Sequence, residues 1–203
     1  KGSRFTPRNL RKLSYHLPAF TMDGLDIENC KIYDAGDIKI CKNYHDVVYE
    51  KLNGIFKYGK FPLFIGGDHS VSIPPQKLFL EHCKKNNYEP VIIHLDAHPD
   101  ICDYYDNSYY SHACTIKRAI DNGYSTECIN LIGIRGFEKQ EVEFLDKHQE
   151  IKVFTSNFIN EYGFEQVLDY LVNKYSDSKY LIYLSYDIDI NDPAFAPGTG
   201  TPE

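Results

Sequence analysis

The stretch Val91-Ile92-Ile93-His94-Leu95-Asp96-Ala97-His98-Pro99-Asp100 decides the fold. Its first half is a short apolar run of the kind that forms a buried strand. Its second half sets two carboxylates and an imidazole at alternate positions. If the strand continues to residue 100, Asp96, His98 and Asp100 face one side at period two. Carboxylates converging at a buried strand end repel each other, and one must protonate unless a cation lies between them. His94 shares that parity but lies deeper in the apolar run, and it reads as a satisfied core histidine.

Working outward, apolar runs rich in Ile, Val, Leu, Phe and Tyr predict further strands over residues 61–65, 90–95, 129–134, 152–155 and 180–186. Helical spacing predicts helices over 44–58, 72–85, 111–122, 138–149 and 161–175. In the last, Phe164, Val167, Leu168 and Leu171 recur at i, i+3, i+4 and i+7. Pro74 and Pro75 fit the first turn of their helix, where a missing N–H does no harm. Strands alternating with helices mean an α/β fold whose parallel sheet is covered on both faces. No linker divides the chain, so residues 1–203 read as a single domain.

In an open parallel sheet, ligands bind beyond the carboxyl ends of the strands. Two other predicted strands also end in polar clusters. Phe61 to Ile65 runs into Gly66-Gly67-Asp68-His69-Ser70, and Leu181 to Ser185 runs into Tyr186-Asp187-Ile188-Asp189. Burying Asp187 and Asp189 at the end of the most hydrophobic strand is expensive unless they are paired or coordinated. Asp192-Pro193 reads as the start of a turn. The candidate ligands are His69, Asp96, His98, Asp100, Asp187 and Asp189, with no thiolate among them. Six groups suit two ions sharing carboxylates better than one ion. A mixed oxygen and nitrogen set rich in carboxylates suits Mn²⁺, whereas Zn²⁺ sites carry more His or Cys.

The bulk properties exclude several classes. With 203 residues, 42% of them hydrophobic, the chain can bury a sizeable core. A net charge of −7 argues against a nucleic-acid partner, because phosphate binding needs a basic face. The scattered cysteines Cys30, Cys41, Cys83, Cys102, Cys114 and Cys128 form no CxxC pair and point to thiols in a reducing cytoplasm. No apolar run of ~18 residues predicts a membrane span. The chain begins at Lys1, so the lack of a visible leader carries little weight.

Gly66-Gly67-Asp68-His69-Ser70, Asp96-Ala97-His98-Pro99-Asp100 and the long run from Ser185 to Glu203 resemble the ureohydrolases: arginase, agmatinase, formimidoylglutamase and relatives. The resemblance implies a three-layer α/β/α fold of the arginase/deacetylase type. It also implies two Mn²⁺ per subunit. His69, Asp96, Asp100 and Asp187 would bind the first, and Asp96, His98, Asp187 and Asp189 the second. Asp100 would orient a bridging hydroxide that attacks a guanidinium carbon, and His112 would shuttle a proton to the leaving amine. A small cationic guanidino substrate and a homo-trimer or homo-hexamer follow from the same likeness. It further implies a first strand ahead of Lys1, and a final strand with a guanidinium-gripping Glu beyond Glu203. The sheet is therefore expected to be incomplete at both ends.

Within the family, arginases place an Asn two residues after the last ligand of Asp-x-His-x-Asp, and here that residue is Cys102. The stretch from Tyr109 to Ala119, with Ser111-His112 and the pair Lys117-Arg118, looks like agmatinases. Agmatine is the expected substrate, with guanidinobutyrase, arginase and formimidoylglutamase as alternatives. Pro99 and Tyr186 depart from the family pattern without touching a ligand. Three other readings compete. They are a non-catalytic metal-binding or assembly protein on this scaffold, a dinuclear phosphoesterase, and a one-zinc deacetylase. A phosphoesterase would want Asn and further His ligands downstream, and the full set of six ligands counts against a deacetylase.

Overall fold

The computed structural model describes residues 3–39, 41, 44–56 and 58–202. They form two compact units that divide after Asp68. The first unit carries helix α1 (Thr6–Ser14), started by Pro7 in its first turn, and helix α2 (Tyr44–Phe56), which buries Leu52. Arg11 on α1 forks onto Asp34 and Asp37, at 2.5–3.0 Å. These groups face solvent, so the pairing fixes a loop more than it stabilises the unit.

The predicted strand over residues 61–65 is not formed. Among the described residues that run pairs with no strand, and Phe61 and Leu63 are exposed. An apolar run has the composition of a strand but needs a neighbour to complete a ladder of hydrogen bonds.

The second unit holds the sheet. Its elements are α3 (Ile73–Lys85), β1 (Glu89–Leu95), α4 (Thr115–Asn122), β2 (Ile129–Ile134), α5 (Lys139–Lys147), β3 (Lys152–Thr155), α6 (Ser156–Tyr162), α7 (Glu165–Tyr175) and β4 (Tyr180–Tyr186). The strands lie in the order β3-β2-β1-β4, all parallel. Pro74 and Pro75 do open α3. The predicted 161–175 helix is two helices. Gly163, at φ +85°, ends α6 where a residue with a side chain would be strained.

Strand β2 is buried at every position, and it divides its side chains between two cores. Ile129, Leu131 and Ile134 pack with Leu80, Ile92, Ile116 and Ala119, on the α3–α4 face. Ile132 packs with Phe154 and Val167, against α6 and α7 on the opposite face. Helices therefore cover both faces of the parallel sheet, the three-layer α/β/α arrangement expected. Edge strand β4 is less covered, with Ile182 and Leu184 about half exposed.

Candidate metal centre

Strand register brings two of the motifs together. β1 pairs with β4 so that Leu95 lies opposite Tyr186, and the next residues, Asp96 and Asp187, leave adjacent strand ends side by side. The Asp187 N–H donates to the Leu95 carbonyl at 2.9 Å, and on the other side the Asp96 N–H donates to the Ile132 carbonyl at 3.1 Å.

Neither motif continues as a strand, contrary to the period-two expectation. In an extended strand Asp96 and Asp100 would lie about 13 Å apart, too far to share an ion. Instead β1 stops at Leu95, and Asp100 turns back with a left-handed backbone, φ +53°. β4 stops at Tyr186. The short turn Ile188–Ile190 carries Asp189, whose N–H donates to Asp187 Oδ1 at 3.1 Å.

His69 opens the turn His69–Ser72 that leads into α3. Its Nδ1 lies 2.8 Å from Asp96 Oδ2, 3.0 Å from Asp100 Oδ2 and 3.2 Å from Asp187 Oδ2. Its Nε2 lies 2.7 Å from Ser185 Oγ. On the other flank of Asp96, His98 Nδ1 lies 3.2 Å from Asp189 Oδ2 and 3.5 Å from Asp96 Oδ1. Two sets of potential ligands result, His69–His94–Asp96–Asp100 and Asp96–His98–Asp189, with Asp96 common to both.

His94 is buried as expected but only half satisfied. Its Nε2 is bonded to the His98 carbonyl at 3.2 Å, whereas its Nδ1 has no hydrogen-bond partner among the described residues. It also stacks on His69 at 4.9 Å and lies 3.1 Å from Asp96 Oδ2.

The electrostatics match a site built around positive charge. Burial alone would lower the His69 imidazole, but Asp100, Asp187 and Asp96 overturn that and hold it well above its ordinary value. His98 is raised to about 10, first by Asp189 and then by Asp96. Burial would raise the Asp96 carboxyl, yet the surrounding imidazoles hold it far below the usual range. Fully buried Asp100 is raised, by desolvation and by repulsion from Asp96.

These residues fit a metal. Nδ1 of His69 and Oδ2 of Asp96 are both buried, and neither makes a hydrogen bond despite their closeness. With an ion bound in place of the ring proton, a neutral His69 whose Nε2 donates to Ser185 would present its Nδ1 lone pair beside three carboxylate oxygens. Only a cation satisfies four such acceptors at once.

Several supports are not legible in the sequence. Thr115 Oγ1 donates to Asp100 Oδ2 at 3.2 Å. Buried Glu141 accepts the Ile101 N–H at 3.0 Å and the Glu138 N–H at 2.8 Å, tying the Asp100 loop to the start of α5. Gly136 lies against His98, where an added Cβ would come within 2.9 Å of the ring. The only sequence signal for these is a glycine just past the end of an apolar strand. Its neighbour Arg135, whose partners are backbone carbonyls, leaves no such signal.

His112 is exposed, in the turn His112–Cys114 that packs against the turn carrying His69. Its ring meets Tyr105 edge-on, and its Nδ1 lies 3.3 Å from Ser111 Oγ. It lies outside both sets of potential ligands. Cys102 is fully buried, and its thiol is raised by desolvation and by Glu141, which favours the plain packing reading.

A parallel α/β unit with His and Asp side chains gathered at adjacent strand ends is a scaffold suited to hold metal. The chain matches the Arginase family over residues 1–203 and belongs to it, and so to the metal-dependent amidinohydrolases. It is 34% identical to the agmatinase of Bacillus anthracis, over all of this chain and 67% of that protein. It is 28% identical to the guanidinobutyrase of Pseudomonas aeruginosa, over all of this chain and 64% of that one. The crystal structure of the agmatine ureohydrolase of Thermoplasma volcanium superposes with a TM-score of 0.84 at 28% identity, covering 99% of this chain and 66% of the other. No described helix is long and apolar enough to cross a membrane.

Proposed function

We propose that this protein hydrolyses the guanidinium group of agmatine to putrescine and urea with two Mn²⁺ ions. The observation that carries the reading is the crowding of three carboxylate oxygens around the His69 Nδ1, with Asp96 shared by a second cluster. His69, Asp96, Asp100 and Asp187 would hold one ion, and Asp96, His98, Asp187 and Asp189 the other. When bound, such a pair supplies Lewis acidity and a water acidic enough to be deprotonated near neutral pH.

The chain's own groups do the rest. Asp100, fixed by Thr115, holds the attacking water's proton and its orientation. His112, exposed beside the turn that carries His69, relays a proton to the departing nitrogen. The surrounding carboxylates attract a planar cation and release neutral urea.

The choice of agmatine rests on Cys102. Its buried thiol stands where arginases carry a carboxylate-binding Asn, and it offers no amide to a substrate carboxylate. The relative from Bacillus anthracis is an agmatinase, which supports the same choice. We place the protein in the cytoplasm as a homo-trimer or homo-hexamer, acting on this small cation without nucleic-acid or membrane partners.

The test is urea release by the full-length protein with Mn²⁺ from agmatine, arginine and 4-guanidinobutanoate, compared as kcat/KM. Agmatine is expected to lead by at least tenfold. A lead for either carboxylate-bearing compound would overturn the substrate assignment.

A further inference from the structure

Arg135 lies in the turn after β2 and touches both ligand-bearing loops. Its backbone N–H donates to the Ala97 carbonyl at 2.8 Å, and the N–H of Gly136 reaches the same oxygen at 3.0 Å. Ala97 separates Asp96 from His98. The guanidinium reaches in the other direction. It donates to the Asp189 carbonyl at 2.6 Å, the Thr201 carbonyl at 2.8 Å, the Ile190 carbonyl at 3.2 Å and its neighbour Gly133 at 3.3 Å. The circle closes between the two loops, where the Ala97 N–H donates to Asp189 Oδ1 at 3.2 Å.

Two features mark this as a positioning device. A charged donor bound to neutral carbonyls forms stronger hydrogen bonds than a neutral donor would. Among the described residues every hydrogen bond of the guanidinium goes to a backbone carbonyl, and two of the four go to the Asp189 segment. One planar side chain with five donors suffices to span these segments. The groups it brings together lean to one side. His98 and Asp189 belong to one cluster alone and share Asp96 with the other, while His69 and Asp100 are held by Ser185 and Thr115 instead.

We infer that Arg135 is a positioning residue for the second ion of the pair, setting Asp189 against His98 without touching that ion or the substrate. This rests on the dinuclear reading above. Loss of the guanidinium frees Asp189 and Ile190 from the β2 turn while leaving the His69 half intact. Groups that orient metal ligands in this way typically govern 10–100-fold in metal affinity.

The test is calorimetric Mn²⁺ titration of the full-length protein as wild type, Arg135→Met, Arg135→Lys and Asp189→Asn, with thermal melting of each. Wild type is expected to bind two ions. Arg135→Met and Asp189→Asn should each keep one ion at near wild-type affinity and weaken the other at least tenfold. Arg135→Lys, a single point of charge, should fall between wild type and Met. It also serves as the variant to read if Met does not fold. Equal weakening of both ions, or none, overturns the inference and leaves the dinuclear reading standing. A wild-type protein that binds fewer than two ions overturns both.

Discussion

The Nε2 of His69 lies 2.7 Å from the hydroxyl of Ser185, although 116 positions separate them in the chain. This contact fixes the imidazole so that Nδ1 faces Asp96, Asp100 and Asp187. Ser185 is the penultimate residue of β4, buried and next but one to Asp187. Replacing it with alanine removes the partner and leaves the ring free to turn. Ser185→Ala is expected to weaken Mn²⁺ binding by about 10–100-fold and to lower stability by only about 1 kcal/mol. Metal titration and a denaturant melt read the two effects separately.

Gly136 gives an independent handle on His98. Its added Cβ would stand 2.9 Å from Cδ2 and 3.1 Å from Nε2 of the His98 ring, so the ring must move. Gly136→Ala should reduce Mn²⁺ affinity at one of two ions while the melting temperature stays within a few degrees of wild type. Titration calorimetry and circular dichroism check this.

Metal removal should cost stability. Without an ion, Asp96, Asp100 and Asp187 crowd one imidazole at the strand ends. Mn²⁺ at one hundred times its dissociation constant stabilises by about 2.7 kcal/mol for each site. For a protein of this size that raises Tm by roughly 2–4 °C per kcal/mol. A thermal scan with and without chelator should show the difference, and Mg²⁺ in place of Mn²⁺ should give less of it.

The thiols should divide by burial. Cys30 and Cys41 are exposed, whereas Cys83, Cys102 and Cys114 are buried and their thiols are raised by desolvation. Because thiolate is the reacting form, alkylation of the native protein near pH 7.5 should label Cys30 and Cys41 first. Peptide mass spectrometry would locate the labels, and early labelling of Cys102 would contradict its packing role.

Much of this is legible in the sequence because the signals are local. Runs rich in apolar residues mark β2, β3 and β4 at their observed bounds, and in β2, buried at every position, the run needs no polar face. The same rule fails for residues 61–65, where the composition is right but no described partner strand completes a ladder. Asp96, His98 and Asp100 emerge as a set, yet strand alternation is the wrong geometric reason. The chain turns back at Asp100 with a left-handed backbone, and Asp100 and His98 fall in separate groups that share Asp96. His94 reads as satisfied because burial is visible in an apolar run, whereas an orphaned ring nitrogen is not. Arg135 and Glu141 escape notice because the contacts that tie them to the site, to Asp189, Ile190 and Thr201 and to Ile101, are to backbone atoms far away in sequence, and such contacts leave no pattern in spacing.

The most direct measurement is the manganese content of the full-length protein after loading and removal of free metal. Two ions per chain, falling below one in Asp96→Asn because that residue serves both clusters, is the predicted result. One ion or none in the wild type, or two retained in Asp96→Asn, would contradict it.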